Sequence, residues 1–152
     1  MHYFVKDIAS INNLVGLVDA LLPSGGRFIF TCLNGKTVFD LLKNKDGWSG
    51  ISKDIKRYFI KSANLGKKFI GGEEIDILLP FSNNELYQES LVNLELVEKC
   101  FKKKKIMLES QANFGDIYLE QFKELMPDMY NNLDTIDFDY IKLISFSIYF
   151  KK

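Results

Sequence analysis

Glu89 lies in the segment Gln88-Glu89-Ser90-Leu91-Val92-Asn93. An ionised carboxylate offers two acceptor oxygens side by side, so it suits a ligand that presents two adjacent N–H donors. The competing reading of Glu89 is structural: an acid in the first turn of a helix, favoured there by the helix dipole. His2 is the only histidine, and its structural reading is a frayed, exposed terminal residue. Nothing in the chain forms a nucleophile–base triad. Cys32 and Cys100 lie far apart without Cys-x-x-Cys or Cys/His spacing, which argues against a metal site or a disulfide framework and for two small buried hydrophobes in a reducing compartment. Gly25-Gly26 and Gly71-Gly72 are the only glycine pairs. Neither has the G-x-G spacing, strand before and helix after, that a nucleotide-phosphate loop requires. The chemistry on offer is recognition and orientation.

Elements legible in the pattern must position these residues. Ile11, Leu14, Val15, Val18, Leu21 and Leu22 recur at helical spacing, with Asp7 or Ser10 as cap and Pro23 with Gly25-Gly26 as stop. Residues 27–32 are β-branched and aromatic without polar alternation after Arg27, which predicts a buried strand of an α/β sheet. Asn34-Gly35 predicts a tight turn with Gly35 at positive φ, and residues 37–42 a short helix stopped near Gly47. Residues 45–56, with Trp48 between Gly47 and Gly50, predict a loop. Residues 56–62 and 68–79 hold strand-like runs, with Gly66 and Gly71-Gly72 at turns. Residues 85–104 predict a helix with Leu91, Leu94, Val97 and Phe101 on one stripe. Residues 106–109 predict a strand, 116–130 a weaker helix and 141–150 a terminal strand. The order fits a three-layer α/β sheet with an antiparallel closing pair. Ligands of such sheets sit outside the carboxyl ends of the strands. His2-Tyr3 and residues 32–34 both face that crevice.

Composition bounds the rest. The chain has 152 residues, 47% hydrophobic and 14% aromatic, which suits one globular domain. Twenty basic and 20 acidic side chains cancel, which argues against bulk polyanion binding but leaves room for a local basic patch. The Lys102–Lys105 run reads as the solvated end of a helix placed to complement its dipole. No stretch reaches the ~20 apolar residues of a transmembrane helix, and no secretory signal is visible. The expectation is a soluble intracellular, cytoplasmic protein without a membrane partner.

Three quoted stretches carry a family resemblance: Met1-His2-Tyr3-Phe4, then Pro23-Ser24-Gly25-Gly26-Arg27-Phe28-Ile29-Phe30-Thr31 followed by Asn34-Gly35-Lys36-Thr37-Val38, and Glu89-Ser90-Leu91-Val92-Asn93. Together they resemble the C-terminal part of mRNA cap guanine-N7 methyltransferases of the large DNA virus type. The resemblance implies the C-terminal portion of a Rossmann-like class I methyltransferase fold, α/β, with a mixed sheet and antiparallel closing strands. It implies residues 1–152 as a partial domain, the cap-binding half, with the N-terminal half that binds S-adenosylmethionine absent. It further implies that Glu89 reads the N1–H and N2 amine of the cap guanine, that His2 donates to guanine O6, that Tyr3 packs beside the base, and that the terminal strand turns an aromatic position to the cap, which falls on Ser145 or Ser147 or is taken over by Tyr149. Ser90 stands where the family has an aromatic and Leu94 where it has Phe, and the acidic residue that would bind the donor's ribose is absent. The implied partners are a capped RNA 5′ end and the missing half or a capping-enzyme subunit, in the cytoplasm, a viral factory or a virion. Two other readings stand beside it: a non-catalytic methyltransferase-like subunit that supports a capping enzyme, and a methyltransferase of the same fold acting on a small molecule.

Overall fold

A computed structural model of the chain describes residues 4–62 and 65–152. The chain begins with α1 (Ile8–Leu21), whose first turn is capped by Asp7 accepting from the Ser10 N–H at 2.7 Å. It buries Ile11, Leu14, Val15 and Val18, the helical stripe seen in the sequence. Strand β1 (Arg27–Leu33) follows, then α2 (Gly35–Leu42). A meander comes next: β2 (Gly47–Ser52), β3 (Ile55–Ser62), β4 (Glu74–Leu78) and β5 (Tyr87–Ser90). Helix α3 (Leu94–Lys102), β6 (Ile106–Asn113), α4 (Phe114–Leu125), α5 (Pro127–Asn131), α6 (Thr135–Ile141) and β7 (Ile144–Lys151) complete it.

The strands form two antiparallel sheets, β1-β7-β6 and β2-β3-β4-β5. Among the described residues the one parallel pairing is an isolated bridge between Asn34 and Val92, which ties the sheets together. The α/β class with antiparallel closing strands is therefore present, and the mixed character of the sheet rests on that bridge. One core cluster lies under α1 and α3, with Phe30, Cys32, Phe101 and Tyr149. A second lies under α2 and the meander, with Leu33, Val38, Ile60, Ile75 and Ile77. Both cysteines are buried and free. No helix among the described residues is long and apolar enough to cross a membrane.

Several elements differ from the sequence reading. Strand β1 is not buried on both faces. Phe30 and Cys32 point into the core, whereas Ile29 is 61% exposed. The pleat sends alternate residues to opposite faces, and among the described residues β1 pairs only with β7. Residues 45–56 are not a loop. β2 and β3 form a hairpin across Lys53-Asp54, both at positive φ, the signature of a type I′ connection. The segment 85–104 is not one helix. Its first part pairs with β4 as β5, and α3 starts only at Leu94, where the Asn93 side chain accepts from the Leu96 N–H at 3.1 Å. Two short helices, α5 and α6, also replace expected coil and weak helix at residues 127–141.

Candidate substrate-recognition site

A cavity of about 380 Å³ opens beside the carboxyl end of β1. Thr31, Cys32 and Leu33 of β1 and Ile144 of β7 line one side. Phe81 from the β4–β5 connection, Tyr87 and Glu89 of β5, and Tyr140 of α6 line the other. Tyr87 and Glu89 share a side of β5 because they alternate, and their register partners Ile77 and Ile75 are core residues. The Glu89 carboxylate is therefore turned inward from a strand, which excludes the first-turn helix reading. Burial raises its pKa above the ordinary 4.5, because desolvation penalises the charged form.

Tyr140 is held from behind. Its ring stacks on Tyr58, centroids 4.4 Å apart and planes 15° from parallel. The Tyr58 hydroxyl donates to Asp137 Oδ1 at 2.7 Å, and Arg57 donates to Asp137 Oδ2 at 3.1 Å. The Asp134 N–H donates to the same Oδ2 at 3.0 Å, and the Asp134 side chain accepts from the Ile136 and Asp137 N–H groups. This capping box starts α6, and one turn later the helix delivers Tyr140 to the cavity. Burial, then the Glu89 charge, push the Tyr140 phenol up to about 12. At neutral pH it is a hydroxyl donor with a flat apolar face.

The bridge between Asn34 and Val92 forms the cavity's neighbour. The Gly35 N–H donates to the Val92 carbonyl at 3.2 Å, and a Cβ on Gly35 would lie 2.4 Å from that oxygen. Gly35 is required for this close approach and not for a left-handed φ, since the glycines at positive φ are Gly25, Gly71 and Gly72. The Asn34 side chain donates to Ser145 Oγ at 3.0 Å and Asn113 Oδ1 at 3.2 Å, and accepts from the Thr37 N–H at 3.2 Å. Asn34 thus caps α2 and locks the β1 end to β7 and β6.

Of the remaining candidates, His2 and Tyr3 lie outside the described residues, and Tyr149 is not brought to this cavity. Tyr149, expected to face a ligand, is fully buried in the other core, stacked near Phe30 and against Phe101, 4.5 Å between ring centroids. Its register partner is Phe28, so it points to the α1–α3 face of the sheet. Phe81, Tyr87 and Tyr140 went unread in the sequence. The usable signal for Tyr140 was the Asp134/Asp137 capping pair in front of it. No group of three or more His, Cys, Asp or Glu among the described residues could hold a metal ion.

No protein-family model matches the chain. In sequence it is similar to mRNA-capping enzymes of African swine fever virus, 31% identical over 154 residues for a tick isolate from South Africa and 30% for a pig isolate from Kenya. The match takes in 96% of this chain but only 17% of the capping enzyme. In structure it is similar to an S-adenosylmethionine-dependent methyltransferase from Clostridium acetobutylicum, with a TM-score of 0.53, 12% identity, and coverage of 97% of this chain and 53% of that one. The chain therefore has the fold of part of a methyltransferase and is related along its length to a segment of viral mRNA-capping enzymes.

Proposed function

We propose that the chain is the cap-recognising part of an mRNA cap guanine-N7 methyltransferase. The observation that carries this reading is Glu89, an inward-facing, half-buried carboxylate in a cavity walled by Phe81, Tyr87 and Tyr140. Guanine presents N1–H and the N2 amine as adjacent donors, and one carboxylate accepts from both. The aromatic walls suit the flat faces of a purine. Adenine offers no such donor pair on that edge, so the carboxylate discriminates against it. Methyl transfer to N7 attacks with a ring lone pair and needs no general base. The protein's contribution is alignment and exclusion of water. His2 at guanine O6 and Tyr3 beside the base complete the proposed contacts.

The donor in this reading is S-adenosylmethionine, which would supply the methyl group. The described residues do not fit it. A Cβ on Gly71 would lie 2.5 Å from the Asn93 Cβ, and one on Gly72 would lie 2.1 Å from the Lys6 carbonyl oxygen. This glycine pair makes room for the protein itself and forms no cradle. The Gly25 N–H donates to the Lys151 carbonyl at 2.8 Å, so the other pair closes the β1–β7 end. Donor binding is assigned to a segment beyond these residues, either more of a capping-enzyme polypeptide or a partner subunit. The same packing of the glycine pairs favours a second reading, a non-catalytic methyltransferase-like subunit that supports a capping enzyme.

Calorimetric titration of the chain with a GpppA cap analogue and with S-adenosylhomocysteine tests the proposal. Cap binding with a flat donor titration is the expected result. Donor binding would overturn the half-site assignment, and silence toward the cap analogue would overturn the guanine reading.

A further inference from the structure

On the far side of the Asn34–Val92 bridge from Glu89, two cavities of about 470 and 650 Å³ adjoin. They share Phe39, Lys43 and Lys67 in their walls, so they form one groove. Leu33 and Glu89 line the guanine-sized cavity, whereas Asn34 and Val92 line the near end of the groove. The two sites are thus neighbours across a single bridge.

Six lysines line this groove: Lys36, Lys43, Lys45, Lys61, Lys67 and Lys68. The acids in its walls are Asp40, Asp46 and Glu95. Lys36 pairs with Asp40 one turn along α2. None of the other five lysines makes an ion pair among the described residues. They come from α2 and its end, from the turn into β2, from β3 and from the β3–β4 connection. This is a convergence made by tertiary structure, unlike the Lys102–Lys105 run, which is continuous in sequence at the end of one helix. In a chain of zero net charge, such a local excess marks a surface for an anion. Phe39, 4% exposed, and the partly buried Phe69 meet beneath it, with ring centroids 5.6 Å apart, and belong to the core that holds these elements together. A positively charged groove that tracks the backbone is the electrostatic part of the arrangement that binds single-stranded nucleic acid without reading its sequence.

We propose that this lysine groove binds the sugar–phosphate backbone of single-stranded RNA, the nucleotides that follow a 5′ end seated against Glu89. Its placement in the path of a transcript rests on the cap-recognition reading. The binding of phosphates does not.

The test uses the full 152-residue chain and a 3′-labelled, uncapped 5′-triphosphate RNA of about ten nucleotides, followed by fluorescence anisotropy over a range of salt. A Lys43→Ala, Lys67→Ala, Lys68→Ala variant is compared with a Lys102→Ala, Lys103→Ala, Lys105→Ala variant of equal charge change. The groove variant should bind roughly tenfold more weakly at low salt, with the slope of log K against log salt shallower by about 2, since each lost single-strand phosphate contact removes about 0.7. The control should stay within about twofold of the parent chain. The proposal is overturned if the parent chain does not bind, if the groove variant matches it, or if the control loses as much. It is also overturned if poly-glutamate of matched charge displaces the RNA as well as unlabelled RNA does, which would make the groove a site for acidic polypeptides. Because the probe has no cap, failure of the guanine reading leaves a positive lysine result standing. Failure of the lysine result leaves the calorimetric test of the cap cavity untouched.

Discussion

Glu89 sits on the inward side of a strand and shares its cavity with Phe81, Tyr87 and Tyr140. Its raised pKa fixes the sign of two effects. A carboxyl whose folded pKa exceeds its unfolded value binds more protons when folded, so its contribution to stability is present at low pH and is lost as pH rises from the ordinary 4.5 through the folded pKa. Glu89→Gln removes that loss. Urea unfolding at neutral pH should therefore show Glu89→Gln as stable as the parent or more so, while its preference for guanine over adenine cap analogues disappears. Binding of a guanine cap should strengthen as pH rises through the same window, because only the ionised form accepts from both donors. A pH series of cap titrations that stays flat in the parent chain would contradict the role. Tyr149 gives the opposite case. Its hydroxyl is buried without a hydrogen-bond partner among the described residues, and burial holds the phenol above its usual range. Tyr149→Phe should leave cap binding unchanged and raise stability by up to about 1 kcal/mol in the same unfolding assay, since an unsatisfied buried hydroxyl costs free energy.

At the scale of elements, α6 carries the site's least visible dependency. Seven residues give too little periodicity to announce a helix, and its start depends on the side chains of Asp134 and Asp137. Asp137 is 2% exposed and accepts from Arg57, Tyr58 and the Asp134 backbone. Asp137→Ala should cost about 3 kcal/mol, because it leaves buried donors and a partly buried guanidinium without their acceptor. Chemical denaturation reads that loss, and cap binding should weaken with it as Tyr140 loses its backing. The sequence made α1 and β7 legible because their apolar patterns are long and packing reinforces them. It made Glu89 legible as chemistry but not as geometry. The apolar stripe Leu91, Leu94, Val97 and Phe101 runs through a strand end into a helix, and only the Asn93 cap separates the two. β2 was hidden for a related reason. Gly47-Trp48-Ser49-Gly50 has loop-like composition, and its extended form comes from pairing with β3. Tyr87 joins Glu89 because the segment is a strand and not a helix, and Phe81 and Tyr140 meet them only through tertiary structure, so no helical reading of the segment could assemble that cavity.

For the whole molecule, zero net charge conceals an uneven distribution. One half-buried carboxylate faces the proposed base site, and five lysines without ion pairs among the described residues face the groove beside it. The outer edge of β1, with Ile29 61% exposed, is paired with no strand among the described residues. An open edge of this kind accepts a further strand, which agrees with the proposal that donor binding resides in another segment. The chain spans 17% of the length of the viral capping enzymes it matches. The central claim is that the Glu89 carboxylate reads the guanine edge, and the sharpest measurement of it is a four-way binding cycle. GpppA and its inosine counterpart, which lacks the N2 amine, are each titrated into the parent chain and into Glu89→Gln. The account predicts that the parent loses roughly tenfold in affinity on removal of the amine, equivalent to about 1.4 kcal/mol, and that Glu89→Gln is nearly indifferent to it. Equal losses in both proteins, or none in the parent, would contradict it.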